Sequence, residues 1–168
     1  GLTGHGVLPV IGTKELVAWL PTLLGLSEGD TVVYPEIAYP TYEVGARIAR
    51  ANPVACDDPA AIAGLKPGLV WINSPANPHG RVLGLDGTRA WVDAARQAGA
   101  VLASDECYGE FGWEAEPVSV LDPRVNGGSL EGLLAVHSLS KRSNAAGYRA
   151  GFIAGDPALT GALLEVRK

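Results

Sequence analysis

Short apolar runs alternate along this chain with segments in which apolar residues recur every three or four positions. Each run is four to six residues long, and continuous apolar runs of this kind are typical of strands that are covered on both faces. We therefore predict seven strands, over residues 7–11, 31–34, 53–56, 69–73, 101–104, 133–138 and 150–154.

The segments between these strands have helical spacing. Helices are predicted over residues 14–24 and 88–98, because the apolar side chains of each fall on one face. Two further helices are predicted over 42–51 and 157–166, and residues 117–128 are predicted to form a long surface loop. The alternation predicts an α/β fold, a three-layer α/β/α sandwich around a mostly parallel sheet. Ligands of such a sheet gather outside the carboxyl ends of its strands.

The composition indicates a globular protein and argues against several function classes. A chain of 168 residues with 47% hydrophobic and 18% charged residues suits one domain with a substantial core. A net charge of −5 leaves no basic stripe for nucleic acid, and the apolar runs are too short to cross a membrane. Cys56 and Cys107 are too few for a disulfide scaffold and lack metal-binding spacing. We expect a cytoplasmic protein without a metal.

Both ends of the sequence favour a piece of a longer protein. The chain contains no methionine, so it has no start residue of its own. It also stops inside the helix predicted over 157–166, with no Gly or Pro to end that helix. We therefore expect further segments on both sides.

Residues whose side chains could bind a ligand or take part in catalysis follow the predicted strands, where such a sheet binds its ligands. In chain order they are Gly12, Thr13, Tyr39, Asn77, Asp105, Tyr108, Ser138, Lys141 and Arg149. Each has an ordinary structural interpretation when taken alone. Thr and Asp are common helix N-caps, Asn before Pro commonly starts a turn, tyrosines are often half-buried, and Lys and Arg are usually exposed. Their joint occurrence at successive strand ends favours a ligand site.

The segment after the sixth predicted strand is the most specific of these. Lys141 lies just beyond the strand end, Ser138 precedes it by three positions, and Arg149 follows it by eight. A lysine held at a strand end, with a hydroxyl and a guanidinium placed to bind an anion, suits a cofactor that carries an aldehyde and a phosphate. Pyridoxal 5′-phosphate is that cofactor.

The combination of motifs resembles the class I and II aminotransferases, which are pyridoxal-phosphate enzymes of fold type I. The motifs that carry the resemblance are Gly12-Thr13, Tyr39-Pro40-x-Tyr42, Asn73-x-Pro75-x-Asn77-Pro78-x-Gly80, Asp105-x-x-Tyr108 and Ser138-x-x-Lys141 with Arg149. Residues 138–152 resemble in particular the actinobacterial N-succinyldiaminopimelate aminotransferases of lysine biosynthesis. The resemblance covers nearly all of residues 1–168, which would form most of the large cofactor-binding domain.

The resemblance implies a role for each residue around the cofactor ring. Lys141 would form the Schiff base and later move the substrate proton. Asp105 would pair with the protonated ring nitrogen, and the side chains of Asn77 and Tyr108 would bind the phenolic oxygen. Tyr39 would stack on the ring. Lys141 and Asp105 are the implied catalytic pair.

The resemblance also implies a phosphate site. Ser138, Arg149 and the backbone at Gly12 and Thr13 would hold the phosphate, since the start of a helix favours anions. Lys14 lies next to this loop and would add positive charge.

Other implications concern partners and missing parts. The substrates would be an amino acid and a 2-oxo acid, and the protein would be a homodimer that shares residues across its active sites. An N-terminal arm and a C-terminal small domain, with the arginine that binds the substrate carboxylate, would lie outside this chain. His79 departs from the Thr or Asn that is commoner in the family, at a position facing the turn. We expect little or no transamination from the isolated 168 residues.

Two alternatives use the same cofactor cradle. One is a carbon-sulfur lyase of the same fold, and the other is the aminotransferase-like sensor domain of a transcription regulator. A nicotinamide dehydrogenase is disfavoured, because no G-x-G-x-x-G motif lies between a predicted strand and helix.

Overall fold

The seven predicted strands all form and belong to one sheet. The computed structural model describes residues 6–166. Its strands are β1 Val7–Val10, β2 Thr31–Tyr34, β3 Asn52–Ala55, β4 Leu69–Asn73, β5 Val101–Asp105, β6 Leu133–Ser138 and β7 Gly151–Gly155. The bounds differ from the predicted ones by at most one residue at either end. The apolar runs were therefore a sufficient signal for the strands.

The helices lie between the strands, as the alternation predicts. They are α1 Thr13–Leu23, α2 Thr41–Ile48, α3 Ile62–Leu65, α4 Gly84–Ala98, α5 Pro123–Asn126, α6 Leu139–Arg142 and α7 Pro157–Val166. Two short 3₁₀ turns cover Pro59–Ala61 and Ala146–Tyr148. No helix in the described part of the chain has both the length and the apolar character that a membrane span requires.

The sheet is mostly parallel, in the order β1-β7-β6-β5-β4-β2-β3. The strands from β3 to β6 pair in parallel, whereas β7 is antiparallel to both β6 and β1. In this register Asn73 lies opposite Asp105, and Asp105 lies opposite Val136. The carboxyl ends of β4, β5 and β6 therefore lie side by side at one edge of the sheet.

Helices cover both faces of the sheet, which confirms the three-layer sandwich. Alternate strand residues point to opposite faces, so Leu69 and Trp71 face one core while Val70 and Ile72 face the other. Helices α1, α2 and α7 pack on the first face, and α3, α4 and α5 on the second. Burial on both faces explains why the strands are apolar along their whole length.

The prediction of a long surface loop over residues 117–128 is wrong in part, because α5 lies within it. Asp122 caps this one-turn helix by accepting the backbone N–H of Arg124 on its carboxylate at 2.8 Å. Pro123 occupies the first turn, and Gly127 ends the helix in the left-handed region at φ 66°. These start and stop signals are readable, but a single turn is too short to show apolar periodicity.

Two helix bounds also differ from the prediction by more than one residue. Helix α4 begins at Gly84, four residues before the predicted start at Thr88, whose hydroxyl donates to the Gly84 carbonyl at 2.6 Å. Glycines at positions 84 and 87 weakened the helical signal there. Helix α2 ends at Ile48 rather than at 51, because Arg50 adopts a left-handed conformation at φ 62°.

Candidate active site

A cleft of about 260 Å³ opens at the carboxyl ends of β4, β5 and β6. Eight of the nine predicted site residues line it: Thr13, Tyr39, Asn77, Asp105, Tyr108, Ser138, Lys141 and Arg149. The ninth, Gly12, lies beside the cleft against the Arg149 side chain. Lys14 also lines the cleft. Residues that are dispersed over most of the sequence therefore meet in one place, as the strand-end positions predict.

The Asp105 carboxylate is buried at the end of β5 and held by two hydrogen bonds. The Tyr42 hydroxyl donates to Oδ2 at 2.8 Å, and the backbone N–H of Cys107 donates to Oδ1 at 3.1 Å. Residues 107–110 form a turn rather than a helix, so the interpretation of Asp105 as a helix N-cap is wrong. The two donors fix the orientation of the carboxylate at the wall of the cleft.

Tyr42 is a site residue that sequence reasoning treated only as part of a motif. It is fully buried, and its ring packs on Trp71 with 5.1 Å between centroids. Burial, together with the charge of Asp105, raises the pKa of the Tyr42 hydroxyl well above its usual value. The hydroxyl therefore stays protonated and remains a donor. The available signal was its place three residues after Tyr39 in the Tyr-Pro-x-Tyr motif.

Cys107 forms part of the same wall. Its thiol lies 3.5 Å from the Thr13 hydroxyl oxygen. Burial and the neighbouring Asp105 carboxylate raise the pKa of the Cys107 thiol far above its usual value. A neutral thiol of this kind is a weak hydrogen-bond donor and is not reactive as a nucleophile.

Lys141 follows the end of β6 on the short helix α6. The Ser138 hydroxyl accepts the backbone N–H of Ser140 at 3.1 Å and caps that helix. The Lys141 ammonium lies over the Tyr108 ring, with Nζ 5.6 Å from the ring centroid. Among residues 6–166, no carboxylate forms an ion pair with it. The amine is thus held at the cleft without an acidic partner.

Asn77 lies in the turn after β4, which a different asparagine organises. The side-chain oxygen Oδ1 of Asn73 accepts the backbone N–H of Asn77 at 2.7 Å, and the side-chain Nδ2 of Asn73 donates to the backbone carbonyls of Pro75 and Asp105. The interpretation of Asn77 as the residue that forms the turn is therefore wrong. Asn73 stabilises the turn instead, and the Asn77 side chain lines the cleft.

Tyr39 contacts its neighbour Tyr42 edge to face, with 6.2 Å between ring centroids. No aromatic ring in the described part of the chain stacks flat on Tyr39. Since Tyr39 lines the cleft, its ring is placed to meet a planar ligand.

Gly12, Thr13 and Arg149 meet where α1 begins. Thr13 is the first residue of α1 and Gly12 is its N-cap, without a side-chain cap, so the prediction of Thr13 as the cap is wrong. Gly12 has φ 76°, and a Cβ built there would overlap the Arg149 guanidinium. The first N–H groups of a helix have no partner within it, so this corner suits an anion.

A contact between a buried carboxylate and a histidine lies beside the cleft and was also missed. The Glu106 carboxylate is 3.1 Å from His137 Nε2 and accepts the backbone N–H of Val120 at 3.0 Å. These contacts tie the end of β5 to β6 and to the segment before α5. The sequence feature that could have indicated this contact is Glu106 itself, an acidic residue directly after Asp105 at the end of a buried strand.

The cleft therefore offers two kinds of charged partner. The helix start at Thr13, the Ser138 hydroxyl and the Arg149 guanidinium suit an anion. The Asp105 carboxylate suits a cation. Lys141 lies in the same cleft and supplies an amine. In the described ranges, no group of three or more His, Cys, Asp or Glu side chains could hold a metal ion.

Comparisons with known proteins agree with this arrangement. The chain matches the sequence profile described as aminotransferase class I and II over residues 3–168. It is 58% identical over 162 residues to the 4-dedimethylamino-4-oxo-anhydrotetracycline transaminase OxyQ of Streptomyces rimosus, covering 96% of this chain and 45% of OxyQ. It is also 58% identical over 167 residues to the probable aminotransferase Rv1178 of Mycobacterium tuberculosis, covering 99% of this chain and 40% of that protein.

Solved structures of aminotransferases also superpose on this chain. The probable N-succinyldiaminopimelate aminotransferase of Thermus thermophilus superposes with a TM-score of 0.86 at 29% identity, over 96% of this chain and 46% of that one. The aminotransferase AspB of Helicobacter pylori gives a TM-score of 0.85 at 32% identity, over 95% and 46%. The chain spans less than half the length of these relatives. Because the profile matches almost all of it, the chain belongs to the class I and II aminotransferase family.

Proposed function

We propose that this chain is part of the large, cofactor-binding domain of an aminotransferase that moves an amino group between an amino acid and a 2-oxo acid. An N-terminal arm and a C-terminal small domain would complete the protein. One observation carries the proposal: eight of the nine residues predicted from the sequence line one cleft, and they include the ammonium of Lys141 and the buried carboxylate of Asp105.

The cofactor of this family is pyridoxal 5′-phosphate, which supplies an aldehyde that reacts with amines and a ring that withdraws electrons. Lys141 is the residue proposed to react with that aldehyde. Its Nζ has no acidic partner within the described part of the chain and lies above the Tyr108 ring, so it is available to take and return a proton. Lys141 is therefore proposed both to attach the cofactor covalently and to act as the base.

Asp105 is proposed to face the ring nitrogen. Its carboxylate is fixed by the Tyr42 hydroxyl and the Cys107 backbone N–H, so it needs little reorganisation to meet a cation. A preorganised negative charge at this position would favour the protonated nitrogen throughout the reaction. Tyr42 acts through Asp105 and is a positioning residue.

Three further side chains are proposed to orient the ring. Asn77 and Tyr108 would bind the phenolic oxygen, and Tyr39 would cover the ring face. All three line the cleft. For the Asn77 amide and the Tyr108 hydroxyl, no hydrogen bond is formed to other described residues, which leaves both free for a ligand.

The phosphate is proposed to bind at the start of α1. Thr13 and Ser138 line the cleft there, Arg149 supplies a guanidinium, and the absence of a Cβ at Gly12 leaves space for that guanidinium. Lys14 adds a positive charge at the same helix start. An anion at a helix start beside an arginine gains from both the helix dipole and charged hydrogen bonds.

For the substrate pair, we propose N-succinyl-LL-2,6-diaminopimelate and 2-oxoglutarate, in lysine biosynthesis. The resemblance of residues 138–152 and the similarity to the Thermus thermophilus structure support this choice. The 58% identity to OxyQ favours a second candidate, a polycyclic ketone as amino acceptor. We also propose that the protein is a homodimer, on the basis of the family resemblance, and that it is cytoplasmic, on the basis of its composition and its two cysteines.

Amino-donor profiling of the complete protein tests this function. The pyridoxal-phosphate form is mixed with succinylated diaminopimelate, glutamate, aspartate and aromatic amino acids, and the conversion of cofactor absorbance is followed. We expect conversion with succinylated diaminopimelate and glutamate, and a loss of at least about a hundredfold in rate for Asp105→Asn with cofactor retained. Cystathionine is added to the same panel, and elimination of its sulfur-bearing side chain identifies the lyase instead. Cofactor binding without conversion by any donor favours the sensor domain.

A further inference from the structure

The guanidinium of Arg149 lies on a ridge between two cavities. One is the cleft described above, and the other is an apolar groove of about 480 Å³ along α1. Within residues 6–166, Arg149 is the one residue that lines both. Glu15 and Gly12 line the groove and not the cleft. Glu15 therefore reaches Arg149 from the side opposite the cleft.

Three features hold the guanidinium in place. Nη2 donates to Glu15 Oε2 at 3.2 Å, Nη1 donates to the Ala146 carbonyl at 3.2 Å, and Gly12 offers no Cβ to push it away. A guanidinium has five N–H groups. These two contacts use one on each Nη, so three N–H groups of the guanidinium remain for other acceptors.

Glu15 is well suited to act as a fixed acceptor. It is the third residue of the eleven-residue helix α1, so its backbone is rigid. A hydrogen bond from its own backbone N–H, with a smaller contribution from Arg149, lowers the pKa of Glu15, so the carboxylate is ionised at neutral pH. Arg149 by contrast follows a short 3₁₀ turn and has φ 49°. Its side chain is 44% exposed and would sample several rotamers without a partner.

We propose that Glu15 is a positioning residue that orients Arg149 toward the phosphate of the cofactor, on the basis of the function proposed above. A planar fork binds phosphate well only when its N–H groups are held at the right angle. Glu15, on the groove side, and the Ala146 carbonyl, at the cleft, together fix that angle. The negative charge of Glu15 opposes phosphate binding. Glu15 therefore contributes by accepting a hydrogen bond from Arg149, and not through its charge.

The opposite role is that Glu15 competes with the phosphate for Arg149. Removal of the side chain separates the two roles by sign. A positioning residue makes phosphate binding weaker when it is removed, whereas a competitor makes it tighter. Replacement by Gln keeps an acceptor of the same length and removes the charge.

The test compares two ligands in the complete apo protein, pyridoxal 5′-phosphate and pyridoxal, by absorbance titration. The dissociation constant of pyridoxal divided by that of pyridoxal 5′-phosphate isolates the phosphate contribution, since both react with the same lysine. For Glu15→Ala we expect this ratio to fall about threefold to fivefold, with the pyridoxal constant unchanged. Glu15→Gln should restore it to within about twofold of wild type. Glu28→Ala, which removes another exposed Glu–Arg pair at 2.8 Å far from the cleft, is the matched control and should change nothing.

The possible outcomes are distinct. A higher ratio in Glu15→Ala identifies a competitor, and an unchanged ratio shows no role for Glu15; either result overturns the positioning role. Equal weakening of both ligands indicates structural damage and overturns it as well. A wild type that binds neither ligand overturns the proposed function, and the positioning role with it. A wild type that binds both, with no change in Glu15→Ala, leaves the proposed function intact.

Discussion

The Tyr42 hydroxyl donates a 2.8 Å hydrogen bond to the Asp105 carboxylate, between residues 63 positions apart. Tyr42 comes from α2, which packs on one face of the sheet, and Asp105 ends the central strand β5. The bond is buried, and its donor is held protonated by its surroundings. A helix and a strand end are therefore joined at the acidic side chain on which the proposed chemistry depends.

Tyr42→Phe should destabilise the protein by about 1–3 kcal/mol. The substitution keeps the ring against Trp71 but leaves a buried carboxylate oxygen without its donor. Urea denaturation of the complete protein measures the change. Tyr148→Phe is the control, because that side chain is 85% exposed and should change the free energy of unfolding by less than about 0.5 kcal/mol. Equal effects of the two substitutions would show that the Tyr42 bond adds no stability.

Gly12→Ala should weaken binding of pyridoxal 5′-phosphate more than binding of pyridoxal. The added Cβ would displace the Arg149 guanidinium, and the backbone at φ 76° is unfavourable for Ala. Gly25→Ala separates the two effects, because Gly25 has φ 81° but open space around its Cβ position. Both variants should lose about 1 kcal/mol of stability. Only Gly12→Ala should change the ratio of the two dissociation constants, and an unchanged ratio would argue against a phosphate site at this corner.

Cys107 should react slowly with iodoacetamide at pH 8. Burial and the Asp105 charge raise the pKa of its thiol, so the reactive thiolate fraction is smaller than for an ordinary cysteine, whose pKa is about 8.5. In a Cys56→Ser background, mass spectrometry should show modification at least about tenfold slower than for a free cysteine. Because the folded pKa is the higher one, the stability contribution of this thiol is present below about pH 8.5 and declines above it. Reaction at the rate of a free cysteine would contradict the raised pKa.

The sheet and the site positions could be predicted because both depend on local signals. Strands buried on both faces are apolar throughout, and the residues that follow them must reach the same edge of a parallel sheet. The positions of Asp105, Ser138 and Lys141 after strands β5 and β6 therefore predict from the sequence that these residues lie near one another. Helix α5 was missed because one turn has no period to detect.

The partners of these residues could not be predicted in the same way. Tyr42 reaches Asp105 across 63 positions, and Glu15 reaches Arg149 across 134. Such pairs depend on how helices pack on the sheet, which no local pattern determines. Arg149 shows the consequence, because it lines the cleft as predicted and also pairs with the exposed carboxylate of Glu15, which the sequence did not indicate.

The identity of the lysine that reacts with the cofactor tests the account most directly. The complete protein is incubated with pyridoxal 5′-phosphate, reduced with borohydride, digested and mapped by mass spectrometry. We predict a single reduced adduct on Lys141, lost in Lys141→Ala and kept in Lys14→Ala, since Lys14 is the other lysine that lines the cleft. An adduct on Lys14, or equal labelling of wild type and Lys141→Ala, would contradict the assignment of the site.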